Sequence, residues 1–310
     1  PSPRCAPTRL PLGGGIRVHA VPGGVGTAAW NSCAGSLPWG QPTDQRYDDA
    51  ASLTWDWPVG ADRELLGAPA LRLRVAADRP VATVSAKLCE VAPDGTSALV
   101  TRGLLTLSHR AGSAGPVALE PGVAVEVDVE LETTAWTLTA GNTLRLSVTG
   151  MDWPNSVAPP HPVTLTVDGD GSALTLPTVT GQPLPPPDLP LLDPPAPAES
   201  PATWRVTDDV LRRHTVVTTS HGEPYPARHG DCADSYTGEA GIDRRTWTQW
   251  ATGTASFEIT WPEVAVATAT TVEVGVDAEA FTLEITLTAT EDGGPVHERR
   301  WRRRYPRELA

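Results

Sequence analysis

The sequence predicts an all-β protein, and three observations carry that expectation. From Leu53 to Val167, short apolar and β-branched runs are separated by Pro, Gly and Asp turns, the spacing of antiparallel sandwiches. Within the runs apolar residues recur at every second position, the period of a strand with one buried face. Helix formers are scarce: Thr, Val and Pro crowd the places where Ala, Leu, Glu and Lys would have to sit. A β-sandwich followed by a second antiparallel β domain is expected.

Taken in order, residues 1–48 form a Gly/Pro-rich lead-in. Gly13-Gly14-Gly15 and Pro22-Gly23-Gly24 break it, and Ile16-Arg17-Val18-His19 is its one strand-like run. The triple glycine is not a phosphate cradle, because neither a Lys-Ser/Thr pair nor a helix follows it. Between Thr27 and Arg46 the lead-in carries Trp30, Leu37, Pro38 and Trp39 among turn residues.

The sandwich is expected over 49–180. In Leu71-Arg72-Leu73-Arg74-Val75 the aliphatic residues face a core and the arginines face water. Val123, Val125, Val127, Val129 and Leu131 point inward while Glu126, Asp128 and Glu130 point outward, and Thr143 to Val148 repeats the pattern. Pro93-Asp94-Gly95 is a turn, since Gly tolerates the positive φ of a tight hairpin. Leu174-Thr175-Leu176 is expected as a last edge strand. Residues 181–202, with Pro185-Pro186-Pro187 and Pro194-Pro195-Ala196-Pro197, read as a semi-rigid spacer between domains. An SH3-type ligand is the lesser reading of such a run.

Over 203–310 the chain alternates again. Val206 to Val217, Thr254 to Trp261, Val272 to Val276 and Phe281 to Leu287 are expected strands, with a hairpin turn at Asp292-Gly293-Gly294. An antiparallel sheet of about five or six strands follows.

Composition excludes several function classes. A net charge of −13 and a pI near 4.9 argue against nucleic acid or an anionic membrane as partner. No run of about 18 apolar residues occurs, so no spanning helix is expected. Chain length suits two sandwich-sized domains. The large apolar anchors are mostly indoles, with 11 Trp against 2 Phe. Cys5, Cys33, Cys89 and Cys232 are sparse and irregularly spaced, which predicts reduced thiols and a cytoplasmic setting. Pro1 opens the sequence with neither Met nor a signal peptide, which suggests a fragment or a chain whose beginning lies elsewhere.

Five blocks fall in order along this pattern: Asp44-Gln45-Arg46, Leu53-Thr54-Trp55, Ala86 to Gly95 (AKLCEVAPDG), Gly141 to Val148 (GNTLRLSV) and Asp152-Trp153-Pro154. Together they resemble the C-terminal jelly-roll domain of the CocE/NonD hydrolases, the group of X-prolyl dipeptidyl-peptidases, cocaine esterase and α-amino-acid ester hydrolases. The resemblance implies a galactose-binding-like jelly roll, and a serine hydrolase in which a preceding α/β domain supplies the nucleophile elbow, oxyanion hole and triad. About fifty residues precede Asp49 here, too few for a parallel sheet whose βαβ units need roughly 30 residues each. This chain is therefore expected to lack the catalytic half and to be inactive alone. The C-terminal β domain resembles only an extension appended to some members.

The remaining constellations are weighed against bland alternatives. Asp234-Ser235-Tyr236-Thr237-Gly238 matches part of the family's elbow, but Ala233 replaces the first Gly, and no apolar strand precedes or helix follows it. A polar loop is the expectation, with no catalytic residue. His214, His221, His229 and Cys232 invite a metal reading that their spacing does not support, and Pro224 and Pro226 suggest a loop there. No metal or cofactor is expected. Arg299 to Tyr305 interleaves Arg with Trp301 and Tyr305 as a single-strand nucleic-acid platform would, but a charge-protected edge strand is favoured.

In the family, the lead-in runs beside the mouth of the active-site cleft. The resemblance thus implies that Trp30, Leu37, Pro38 and Trp39, with Trp153, line a cleft or glue the jelly roll to the α/β domain. Small ester, amide or peptide substrates are implied for the full protein. The rival reading is an independent carbohydrate- or ligand-binding jelly roll, since this architecture recurs in binding modules, and a purely structural or oligomerisation module is a third.

Overall fold

The computed structural model describes residues 4–29, 44–112, 114–181, 203–227 and 230–310. The lead-in contributes two strands, β1 (Cys5–Pro11) and β2 (Ile16–Ala20), then a five-residue helix α1 (Arg46–Ala50). The sandwich strands follow: β3 (Leu53–Pro58), β4 (Arg63–Gly67), β5 (Ala70–Ala77), β6 (Thr83–Val91), β7 (Ser97–Thr106), β8 (Val125–Glu130), β9 (Thr134–Leu138), β10 (Thr143–Thr149) and β11 (Thr164–Val179).

Two antiparallel sheets make the jelly roll. One runs β8-β5-β11-β4-β9, with β1 and β2 added along the other edge of β11; the second runs β3-β10-β6-β7. Leu71, Leu73 and Val75 from the first sheet meet Val84, Ala86, Leu88, Leu146 and Val148 from the second, and none is more than 1% exposed. The alternation that predicted these strands is thus the alternation of the core.

Three expectations are corrected. Leu174 and Leu176 belong to the 16-residue β11, which is central, paired with β5 and β4 on one edge and with β1 and β2 on the other. Within that strand the Asp168-Gly169-Asp170-Gly171 stretch is an irregularity in register. Second, the lead-in holds a strand without sequence alternation: β1 is an edge strand, where Pro7 and Pro11 cost no ladder bond. The triple glycine joins β1 to β2, all three residues at positive φ, and Gly169 packs so tightly on the Gly13 carbonyl that a side chain would clash. Third, Val123 lies outside β8 and is exposed, while Val127, Val129 and Leu131 are buried as expected.

The C-terminal sheet has seven strands in sequential order, more than expected: β12 (Thr203–Asp209), β13 (His214–Ala227), β14 (Gly230–Asp243), β15 (Gln249–Thr260), β16 (Ala265–Val276), β17 (Ala280–Glu291) and β18 (Gly294–Pro306). The run with Pro224 and Pro226 is strand rather than loop. Beyond Ser220, where the pairing with β12 ends, β13 has a partner on one side only among the described residues, so the missing proline N–H groups cost little. Register puts Val217, Ala240, Ala251, Val274 and Leu283 on one face and Thr218, Glu239, Thr252, Glu273, Glu284 and Arg302 on the other.

One apolar core runs through both parts, because Val217, Ile242 and Trp247 join the jelly-roll cluster. Trp247, in the β14–β15 turn, is 1% exposed. Gln249 exchanges hydrogen bonds with the Ala158 backbone, its Oε1 accepting from the N–H at 3.0 Å. Arg307 donates to the Ala158 and Asp277 carbonyls, and Ser108 Oγ donates to the Leu309 carbonyl at 2.6 Å. The two β domains, expected as separate units, are locked along one end of the C-terminal sheet. The expected spacer falls at 181–202, of which 182–202 lie outside the described residues.

Candidate functional site

Trp30, Leu37, Pro38 and Trp39 lie outside the described residues. Both roots of their segment are described, and they are clamped together. The Gln45 side chain donates from Nε2 to the Ala28 carbonyl at 2.7 Å, and its backbone N–H donates to Ser97 O at 2.7 Å. Gly26 N–H donates to Asp48 Oδ1 at 3.2 Å. Gly26, at φ +122, presses against the Asp152–Trp153 backbone where a Cβ would lie 2.6 Å from it, so only glycine fits. Residue 29 leaves, and Asp44 returns, on a fixed base.

That base is the outer face of the second sheet, and it is polar and buried. Ser85, Lys87 and Cys89 of β6 and Ser147 of β10 alternate with the core residues and lie under α1 and the loops around Gly26 and Asp152. Lys87 Nζ sits 2.5 Å from Asp48 Oδ2 and 3.6 Å from Asp152 Oδ1, and Arg102 reaches Asp152 Oδ2 at 3.3 Å. Asp49 accepts from Ser97 Oγ at 2.7 Å, Ser147 Oγ at 2.5 Å and Arg145 at 3.3 Å. Arg145 also makes a two-point pair with Asp56.

Desolvation acts on this cluster visibly. Burial raises the Asp152 pKa against the pull of Lys87 and Arg102. Burial, with Asp49 nearby, pushes the Cys89 thiol up to about 12, so it is a poor nucleophile near neutral pH. Hydrogen bonding to Asp56 raises the Arg145 pKa further. Opposite charges here are closely paired and bonded, the condition under which buried charge is tolerated. Such a network holds loops in place; it is not arranged for proton transfer.

Sequence reading missed this cluster. Its signals were Lys87 at the centre of a strand, Thr83 to Val91, rich in small and apolar residues, and the adjacent Asp48-Asp49 pair. Trp153 is corrected: it is 3% exposed and belongs to the core, with its backbone N–H donating to Val25 O at 2.7 Å. It supports the base from beneath and is no part of an exposed face.

The other constellations also find places. Ser235 lies in mid-strand on β14, not in a loop, and pairs with the Ser256 hydroxyl at 2.8 Å. A flat strand cannot supply the strained strand-to-helix turn of an elbow. His214 faces Asp243 and Trp250, whereas His221 stacks on Tyr236. Seven residues apart on β13, they occupy opposite faces; His229 lies outside the described residues. Among the described residues no group of three His, Cys, Asp or Glu side chains is placed to hold a metal, and Cys5, Cys89 and Cys232 are unpaired thiols. Cys33 lies outside them. Arg300 and Arg302 on edge strand β18 both pair with Glu284, and Arg304 approaches Glu279. No described helix is long and apolar enough to cross a membrane.

Residues 20–184, just over half the chain, match the family model described as the X-Pro dipeptidyl-peptidase C-terminal non-catalytic domain. A search of curated protein sequences found no match. Among solved structures the chain is similar to an α-amino acid ester hydrolase (19% identity, 53% of this chain and 32% of that one, TM-score 0.47). It is also similar to an aminopeptidase from a marine-sediment Thaumarchaeota archaeon (16%, 55% and 34%, TM-score 0.45). A third similarity is to a CocE/NonD family hydrolase from Staphylococcus aureus (17%, 57% and 37%, TM-score 0.43). The chain spans about a third of the length of these structures.

Proposed function

Because the chain belongs to the X-Pro dipeptidyl-peptidase C-terminal non-catalytic domain family, we propose that it covers and shapes the active-site cleft of a CocE/NonD-type serine hydrolase. The chemistry is done by an α/β-hydrolase domain, in the same full-length protein or on a separate chain. Small esters, amides or X-Pro peptides are the substrate class, in a cytoplasmic setting, with no role for nucleic acid or membrane. The observation that carries this reading is the clamped root at Ala28, Gln45, Gly26 and Asp48. A buried ionic base that fixes both roots of residues 30–43 suits a segment that contacts a neighbouring surface, since tethered ends reduce the entropy lost on contact. Trp30, Leu37, Pro38 and Trp39 are the proposed contacts.

The test is reconstitution. An α/β domain from a relative is assayed for p-nitrophenyl ester turnover and fluorophosphonate labelling, with and without this chain and with its Trp39→Ala variant. The expected result is no labelling of this chain, altered ester turnover when it is added, and loss of that effect in Trp39→Ala. Labelling of this chain alone would return attention to Ser235. An inert chain that neither binds nor alters the α/β domain would favour the independent ligand-binding module instead.

A further inference from the structure

Among the described residues, the end of the jelly roll remote from the C-terminal sheet is open, and the opening leads into the core. A cavity of about 270 Å³ enters there between the two sheets. Its back wall is Leu138, Leu144 and Leu176, each at most 3% exposed, and its mouth is formed by Leu10, Trp57 and Arg63. The cavity meets β10 on its core face at Leu144, whereas the ionic base lies on the opposite face of the same strand, at Arg145 and Ser147.

Register explains why the two polar groups at the mouth point inward. Trp57 is the cross-strand partner of Leu144, and Arg63 is the partner of Leu138; directly opposed residues share a face, and here that face is the core. Arg63 is exposed at the rim, where an arginine is tolerated without a partner; no described carboxylate pairs with it, and the Trp57 indole N–H donates to no described residue. Glu90, which lies across from Leu144 on β6, is already occupied: it accepts from Trp136 Nε1 at 2.7 Å, Thr139 N–H at 2.6 Å and Asn142 Nδ2 at 2.8 Å. Among the described residues no Asp or Glu lines the cavity. In a chain of net charge −13, this is a pocket with an apolar back wall and one cation, Arg63, at its mouth beside the Pro58 to Ala61 backbone.

We propose that this pocket binds a small apolar carboxylate, its tail against Leu138, Leu144 and Leu176 and its carboxylate at Arg63 and Trp57 N–H. An apolar pocket with a few convergent polar groups is the usual form of a small-molecule site, and a guanidinium with free donors is suited to a carboxylate. The tail is an alkyl chain or an aryl ring, and the pocket takes either by area burial.

Calorimetric titration with octanoate, phenylacetate and 1-octanol tests the assignment. At least one acid binds about tenfold or more tighter than 1-octanol, the advantage expected of a charge-assisted contact; which acid binds tighter identifies the tail. Arg63→Gln removes that advantage and leaves 1-octanol unchanged, while Leu10→Trp, which fills the mouth, abolishes all binding. Because Arg63 is exposed and Leu10 half-buried, both variants keep their fold, checked by circular dichroism. In NMR spectra, the indole N–H resonance absent from Trp57→Phe shifts when the acid is added. If neither acid binds, if 1-octanol binds as tightly, or if folded Leu10→Trp binds unchanged, the assignment is wrong.

Discussion

Strands β6 and β18 mark the two extremes of this molecule. Every residue of β6 from Thr83 to Glu90 is buried, on both faces. In β18 only Trp301 is even half-buried, and the other residues are exposed. Both strands sit in antiparallel sheets whose residues alternate in character, so alternation alone does not decide burial. The difference is what lies above each face. The inner face of β6 meets a second sheet, and its outer face lies under α1 and the loops that pack on Lys87. Among the described residues the C-terminal sheet is a single layer, covered where its end meets the jelly roll. A sheet with one apolar face needs a second layer to be stable, and most of the cover available within the described chain comes at that join.

The largest effect should therefore come from the join itself. Trp247→Ala removes a fully buried indole that ties the β14–β15 turn to the jelly-roll core. Loss of about 3–5 kcal/mol is expected; the wild type should melt in one transition and the variant in two, with the C-terminal sheet melting first. Scanning calorimetry reads both. A variant that still melts in one step would show that the C-terminal sheet draws its stability from its own strands.

This contrast also explains what was legible in the sequence. Leu71, Leu73 and Val75 were readable because a two-layer core imposes alternation and nothing else acts on those positions. The outer face of β6 was not: Ser85, Lys87 and Cys89 alternate correctly, but a polar outer face ordinarily means water. Here it means a second buried layer, made of charge. The segment from His221 to Gly238 was misread because His, Pro and Gly are turn residues in most settings. In a single-layer sheet with a free edge on β13 they are tolerated. The aromatic segment was recognised through a family resemblance, whereas the clamp beneath it depends on contacts distant in sequence, such as Gln45 with Ala28 and Ser97. The mouth of the end cavity was equally silent, since Arg63 looks like any surface arginine.

The next largest effect contrasts ion pairs in the two regions. Lys87→Met leaves Asp48 with no cation and Asp152 with Arg102 alone, both carboxylates at most 4% exposed in their side chains. Breaking such a buried network by removing one partner costs about 3–5 kcal/mol. Arg302→Met removes a pair of shorter reach to solvent, with the arginine side chain 71% exposed, and should cost less than about 1 kcal/mol. Urea unfolding of the two variants measures the gap. Equal losses would mean that the jelly-roll cluster is wetter than its packing implies.

The smallest effect is a pH dependence, and it asks which force governs the buried cluster. Burial favours the neutral form of Asp152, while Lys87 and Arg102 favour the charged form; the net shift is upward from 3.8. Between 3.8 and the raised value, the folded protein keeps a proton that the unfolded chain has released. Stability from this group is therefore complete below pH 3.8 and is lost as pH rises through the raised pKa. Asp152→Asn cannot titrate, so the stability of the wild type relative to this variant should shrink as pH is raised through that window, in urea titrations at constant salt. A relative stability that grows with pH instead would mean that the ion pairs with Lys87 and Arg102 outweigh desolvation. In that case the base under the aromatic segment is held by charge attraction, and high salt, which screens buried pairs far less than exposed ones, should weaken the C-terminal sheet's pairs at Glu284 while leaving the base in place.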